Sequence, residues 1–205
     1  GLNVASSMAV HESQSRFYEN IIGKSREFSN YLYKEAIKQF NEQFDGVSEE
    51  EFYKALNKVT PSLIRTEADE LTYSLHIIIR YEIEKLLIND IIEVKDLPKV
   101  WNEKYKEYLG VEPTSDKEGV LQDVHWSDGS FGYFPSYALG NLYGAQMLNK
   151  MIKDIPEVYQ EVSKGNLKPV HKWLKENVHE AANLYDPGDL IKKITGEDLQ
   201  AKYFL

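Results

Sequence analysis

The 205 residues predict an all-helical protein. Three observations carry that expectation. No segment alternates apolar and polar residues with the period of two that a half-buried strand needs. Apolar residues recur instead at three- and four-residue intervals, most plainly at Phe17, Ile21, Ile22, Phe28, Tyr31, Leu32, Ile37 and Phe40. The punctuation between such runs is also that of helices, with Ser48 followed three residues on by Glu51, and Pro156, Pro169 and Pro187 each standing where a helix can begin.

Taken in order, Gly1 to Ala9 reads as an approach loop, with Ser6 or Ser7 as the cap of a helix that starts before His11. The spacing predicts that this helix runs on to Phe40, weakened locally at Gly23. Asp45-Gly46 punctuates, and the Ser48/Glu51 capping box opens a short helix over 49–59 before Pro61 resets the chain. Thr66, with Asp69 three residues later, is the expected cap of the next helix, whose apolar stripe is Leu71, Leu75, Ile78 and Ile79. Asp96 caps a helix through Val100, Trp101, Tyr105 and Tyr108 that Gly110 stops. Glycines and aromatics over 119–134 read as an irregular loop leading to a helix near Pro135. In that helix Gly140 and Gly144 share a face and permit close approach of a neighbour. Short proline-opened helices follow, the last capped by Asp198.

Composition excludes several classes of function. A net charge of -9 and a pI near 5.1 argue against a nucleic-acid partner, because phosphate binding needs concentrated Lys and Arg. No cysteine means no disulfide framework and no thiolate metal site. No apolar run approaches the ~20 residues of a membrane helix, and the first residues carry no signal-peptide pattern. At 42% hydrophobic the chain can bury a core.

Three stretches carry chemistry. His11-Glu12-Ser13-Gln14-Ser15-Arg16 is too polar for an ordinary core helix and reads as one wall of a metal site. It is not an HExxH motif, because the residue four after His11 is Ser15. His76, His125, His171 and His179 form no i, i+4 pair either. What remains is Glu12, a carboxylate able to complete a set whose two histidines lie elsewhere. Arg16 and Glu19 are spaced to pair. In the second stretch, Arg65 precedes the helix cap, where its guanidinium can grip a carboxylate; the plainer reading pairs it with Glu67, Asp69 or Glu70. His76, beside an isoleucine-rich stripe, reads as a hydrogen-bonded core histidine. The third stretch, 119–137, places His125 and tyrosines on an ordered loop, where an imidazole or phenol can donate to an oxyanion. Its plainer reading is a packed corner of His125, Trp126, Phe131 and Tyr133. His171 and His179, two turns apart, are too distant for one metal.

These stretches together resemble the thermostable carboxypeptidase 1 family, all-helical metallocarboxypeptidases with an HExxH zinc motif. His11-Glu12-Ser13-Gln14-Ser15-Arg16 is similar to its second signature, the run beginning Ile64-Arg65 to another, and Gln122-Asp123-Val124-His125-Trp126 with Gly132-Tyr133-Phe134-Pro135 to a third. The resemblance implies that Glu12 is the third ligand of zinc, or of another divalent metal such as cobalt, with His11 and Arg16 bracing it. It implies that Arg65 holds the free C-terminal carboxylate of a peptide substrate, and that His125 with Tyr133 or Tyr137 assists. It further implies that residues 1–205 are a single C-terminal portion of a larger catalytic domain whose HExxH helix is missing here, inactive alone, and that the whole protein is a cytoplasmic homodimer. The competing expectations are a metal-free helical interaction domain and an endopeptidase of related architecture.

Overall fold

In a computed structural model, residues 4–205 are described; they are helical and turn-forming, with no strand among them. The expected approach loop therefore lies, for residues 1–3, outside the described residues. None of the described helices is long and apolar enough to cross a membrane. The chain divides into two compact units, one formed by the residues up to Asn57 with Leu139–Leu205, the other by Lys58–Ala138.

In the first unit, α1 (Met8–Arg16) is capped by Ser7, whose hydroxyl accepts from the Val10 amide as expected. The single long helix foreseen to Phe40 is interrupted: a π turn spans Phe17–Ile22, the chain then bends, and Ser25 caps a fresh helix, α2 (Arg26–Gln39). Apolar spacing survives this break because each segment keeps its own buried face, so periodicity alone does not register it. The Ser48/Glu51 capping box is present and opens α3 (Glu49–Leu56), shorter than foreseen.

The second unit is built on α4 (Glu70–Ile88) and α5 (Leu97–Leu109). Thr66 is not the cap of α4. It lies in a 3-10 turn, Arg65–Glu67, and Asp69 caps instead, accepting from the Thr72 amide at 2.9 Å. The predicted stripe shifts as well: Leu71 and Ile78 face solvent at 71% and 39% exposure, whereas Tyr73, Ile77, Ile79 and Ile83 are buried. The buried face runs through Thr72, His76, Arg80 and Glu84, polar side chains that a count of apolar residues leaves out. Asp96 precedes α5 but its carboxylate accepts from the Glu93 amide, capping the turn before the helix. Gly110, in the left-handed region at φ 70°, ends α5.

α6 (Pro135–Asp154) starts where Pro135 predicts. In the first unit, α6, α1 and the π turn share a core with Phe17, Ile22, Met147 and Met151, to which α7 (Val158–Val162), α8 (Lys168–Asn177) and α9 (Pro187–Thr195) add Val158, Val162, Leu174 and Ile191. The Gly140/Gly144 face does admit a close neighbour: a Cβ at 144 would lie 2.7 Å from Ile21 Cδ1. Asp198 is not a helix cap; the last turn is a 3-10 segment, Ala201–Tyr203, and Asp198 pairs with Lys192.

Candidate active site

Glu12, His11 and Arg16 belong to the first unit. Their positions follow from α1: Ser7 fixes its start, and a spacing of four puts Glu12 and Arg16 on one face. Arg16 Nε donates to Glu12 Oε1 at 3.2 Å, while Arg16 Nη1 donates to Asn20 Oδ1 at 3.0 Å. The foreseen Arg16–Glu19 pair is the looser contact at 3.7 Å, to a carboxylate that is 70% exposed. His11 is exposed. Ser13, between them, is buried and returns its hydroxyl to the Val10 carbonyl at 2.6 Å.

The second unit holds Arg65, His125, Tyr133 and Tyr137, and brings all four together. Arg65 is buried, and its partner is none of the nearby acids but Asp123. The guanidinium presents its Nε/Nη2 edge to that carboxylate, with Nη2 to Oδ1 at 2.6 Å and Nε to Oδ2 at 3.1 Å. Asp123 simultaneously accepts from Arg80 Nε at 2.7 Å. Gln122 completes the brace: its carbonyl accepts from the Arg65 amide and Arg80 Nη2, and its NH₂ donates to the carbonyls of Leu63 and Glu118. Every hydrogen-bonding position of that amide is thereby used. The Nη1 edge of Arg65 faces the Tyr73 hydroxyl at 3.3 Å, and its Cζ sits 4.7 Å over the Tyr137 ring.

Electrostatics follow from burial and pairing. Burial works to raise the Asp123 pKa, but the Arg65 hydrogen bond and the Arg80 field hold it below the ordinary carboxylate value. Burial also opposes the Arg65 charge, yet Asp123 more than offsets this and the guanidinium is held more firmly protonated than usual. His76 is the core histidine that the sequence suggests, fully buried with Nδ1 3.0 Å from the Tyr105 hydroxyl. Burial, then the Arg80 and Arg65 charges, push its pKa down to about 4.

His125 lies among Tyr133, Phe134 and Tyr137, with its ring 4.4 Å from that of Phe134. Its Nε2 is 2.9 Å from the Tyr137 hydroxyl and its Nδ1 is 3.9 Å from Asp123 Oδ1. Burial pushes its pKa down, assisted by Arg65 and Arg80 and opposed by Asp123, so the imidazole is neutral at pH 7. The neutral ring then carries a single N–H, on one nitrogen or the other. On Nδ1 it faces the Asp123 carboxylate while the phenol donates to Nε2; on Nε2 it donates to the phenol oxygen. Tyr133 reaches His125 only by ring contact, at 5.6 Å between centroids. The loop is held by Glu84, a buried carboxylate on α4 that accepts from Trp126 Nε1 at 2.8 Å and from the Gly132 amide at 3.1 Å. The packed corner and the ordered polar loop are therefore one object.

The sequence reading gives no role to Arg80 or Glu84, nor to Gln122 and Asp123, which it holds only as letters of a signature. The available signal was chemical: two acids, an arginine and an amide at positions where helix and loop must be buried. Among the described residues no group of three His, Asp or Glu side chains is placed to hold a metal ion. Glu12 is one oxygen donor with Oε1 oriented by Arg16 and a side chain 23% exposed, which fits a single ligand of a divalent ion and not a complete site. A cavity of about 540 Å³ in the second unit, lined by Leu87, Ile88, Ile92, Val94, Trp126 and Phe131 among others, is largely apolar and includes neither Arg65 nor His125.

Comparison with known proteins gives a consistent result. The family model described as carboxypeptidase Taq (M32) metallopeptidase matches residues 1–205. The chain is 50% identical over 204 residues to carboxypeptidase 1 of Bacillus subtilis, covering all of this chain and 41% of that protein. It is 43% identical over 199 residues to thermostable carboxypeptidase 1 of Pyrococcus furiosus, covering 97% of this chain and 40% of that one. The crystal structure of the M32 carboxypeptidase from Deinococcus radiodurans is similar at a TM-score of 0.95 and 41% identity, over 99% of this chain and 41% of that chain. The chain thus spans about two fifths of the length of the curated relatives it matches.

Proposed function

Since the chain belongs to the carboxypeptidase Taq (M32) metallopeptidase family, we propose that it forms part of a metal-dependent exopeptidase that releases single residues from peptide C-termini. Glu12 gives one oxygen to the metal, and residues outside these 205 give the others. The metal is zinc, with cobalt as the alternative that the same ligand accepts. A divalent ion at such a centre polarises the scissile carbonyl and lowers the pKa of water.

Other residues of this chain serve the same reaction. Arg65 offers its Nη1 edge to the substrate's terminal carboxylate, the other edge being locked by Asp123. Holding one free terminus in register exposes only the last peptide bond to chemistry. Tyr137, in hydrogen-bond contact with His125, supplies an O–H for the oxyanion, and Tyr133 walls the same corner. The observation that carries this reading is a pre-set cation over the ring of Tyr137, whose phenol is joined to a neutral imidazole. We further infer a cytoplasmic homodimer.

The test uses the full-length protein. Zinc-dependent release of the last residue is expected from free peptides and not from C-terminally amidated ones; cleavage of both would indicate an endopeptidase. Arg65→Ala is expected to lower kcat/KM by about 10- to 100-fold, the loss of one or two charge-assisted hydrogen bonds. Residues 1–205 alone are expected to bind zinc weakly and to lack activity, and tight stoichiometric binding in a calorimeter would contradict this. The rival reading, a metal-free interaction domain, is supported by Ile88 and Val94, 67% and 74% exposed beside the apolar cavity. It gains if no metal-dependent activity appears.

A further inference from the structure

The hydrogen bonds around Glu12 do not stop at Arg16. Arg16 donates from two different nitrogens, Nε to Glu12 at 3.2 Å and Nη1 to Asn20 Oδ1 at 3.0 Å, so the guanidinium is anchored at both ends. Asn20 is buried at 7% exposure in the π turn that follows α1. A spacing of four puts Asn20 within reach of Arg16, as it does Arg16 of Glu12. Buried amides find partners, and here that partner is a side chain one step from the carboxylate.

A second constraint comes from the opposite side. Gly140 on α6 packs against α1 so closely that a Cβ there would lie 2.9 Å from Glu12 Cγ and 3.1 Å from Glu12 Cβ. Even the smallest side chain would push the Glu12 stem aside, and it would press on the α1 backbone too, with the Glu12 carbonyl carbon 3.2 Å away. Gly140 is helical, so an alanine would meet no backbone strain of its own.

We propose that Asn20 and Gly140 are positioning residues for Glu12: Asn20 aims its carboxylate through Arg16, and Gly140 keeps clear the path of its side chain. The inference rests on the reading of Glu12 as a metal ligand.

The experiment measures zinc affinity by chelator competition in the full-length protein, together with the melting temperature of the metal-free form. Asn20→Ala and Gly140→Ala are each expected to weaken zinc binding about 10- to 100-fold, as loss of an outer support does, with the metal-free melting temperature little changed in Asn20→Ala and lowered in Gly140→Ala, whose Cβ crowds α1. Asn20→Asp, which keeps an oxygen acceptor for Arg16, is expected to hold affinity closer to wild type than Asn20→Ala. Glu12→Gln separates the two levels. Loss of zinc in Glu12→Gln with unchanged affinity in both Asn20→Ala and Gly140→Ala overturns the positioning role alone. Unchanged affinity in Glu12→Gln overturns the ligand reading itself. Equal losses in Asn20→Asp and Asn20→Ala show that the acceptor is not what matters and overturn the role of Asn20. Should Asn20→Ala fail to fold, Gly140→Ala carries the test.

Discussion

Glu12 is oriented by Arg16, four residues on, and by Asn20, four beyond that, whereas Arg65 is oriented by Asp123, 58 residues away, and Asp123 by Arg80 in turn. The first arrangement is written along one helical path and survives as long as that path is helical. The second exists only when α4, the Arg65 turn and the 119–134 loop have all reached their places. One is partly exposed and the other is almost dry, so the same kind of ion pair has a different energetic weight in each. A local array tunes a direction; a long-range one is inseparable from the fold.

The sharpest way to break this contrast is Asp123→Ala. It leaves two buried guanidiniums facing each other without their shared carboxylate and is expected to cost about 3–5 kcal/mol, read from urea denaturation. A loss below about 1 kcal/mol would make the cluster no more than a surface pair.

Next in size is a pH effect. His76 has a folded pKa of about 4 against an ordinary 6.5. Between those values the unfolded chain takes up a proton that the folded one refuses, so stability is full above pH 6.5 and falls as the pH drops toward 4. The slope reaches at most about 1.4 kcal/mol per pH unit. Urea midpoints over that range should show it, and a His76→Phe protein should lack it. Asp123 acts at lower pH: its stabilisation holds above the ordinary carboxylate range and is lost as the pH falls through its lowered folded value.

Smallest is Arg16→Ala, expected to change unfolding stability by no more than about 1 kcal/mol, because Glu12 and Arg16 are only partly buried. A loss as large as that of Asp123→Ala would erase the distinction between the two regions.

The same distinction governs what could be read from the chain. Ser7, the Ser48/Glu51 box, Pro135 and the Gly140/Gly144 face are matters of spacing within a few residues, and all stand where spacing puts them. The break at Phe17–Ile22 was hidden because a π turn preserves burial while changing the hydrogen-bond count. Thr66 and Asp69 were both acceptable caps, and the choice fell to Asp69, which also accepts from the Thr60 amide across a turn. Arg65 was visible as a cation in need of a carboxylate, but its neighbours Glu67, Asp69 and Glu70 were the nearest candidates in sequence, and only tertiary packing selects Asp123. For Glu12 the letters gave the residue and its helix; the support from Asn20 required the turn's actual geometry.

Glu84 shows how far such packing reaches. Its two oxygens fasten Trp126 and Gly132, so the rigidity of residues 119–134 is stored on a helix some forty residues upstream. Shortening that one side chain would release both anchor points together, and an amide in its place would keep an acceptor for only one of them. His125 would then ride on a tether instead of a fixed mount, and a protease that threads extended backbone would make its first cut there.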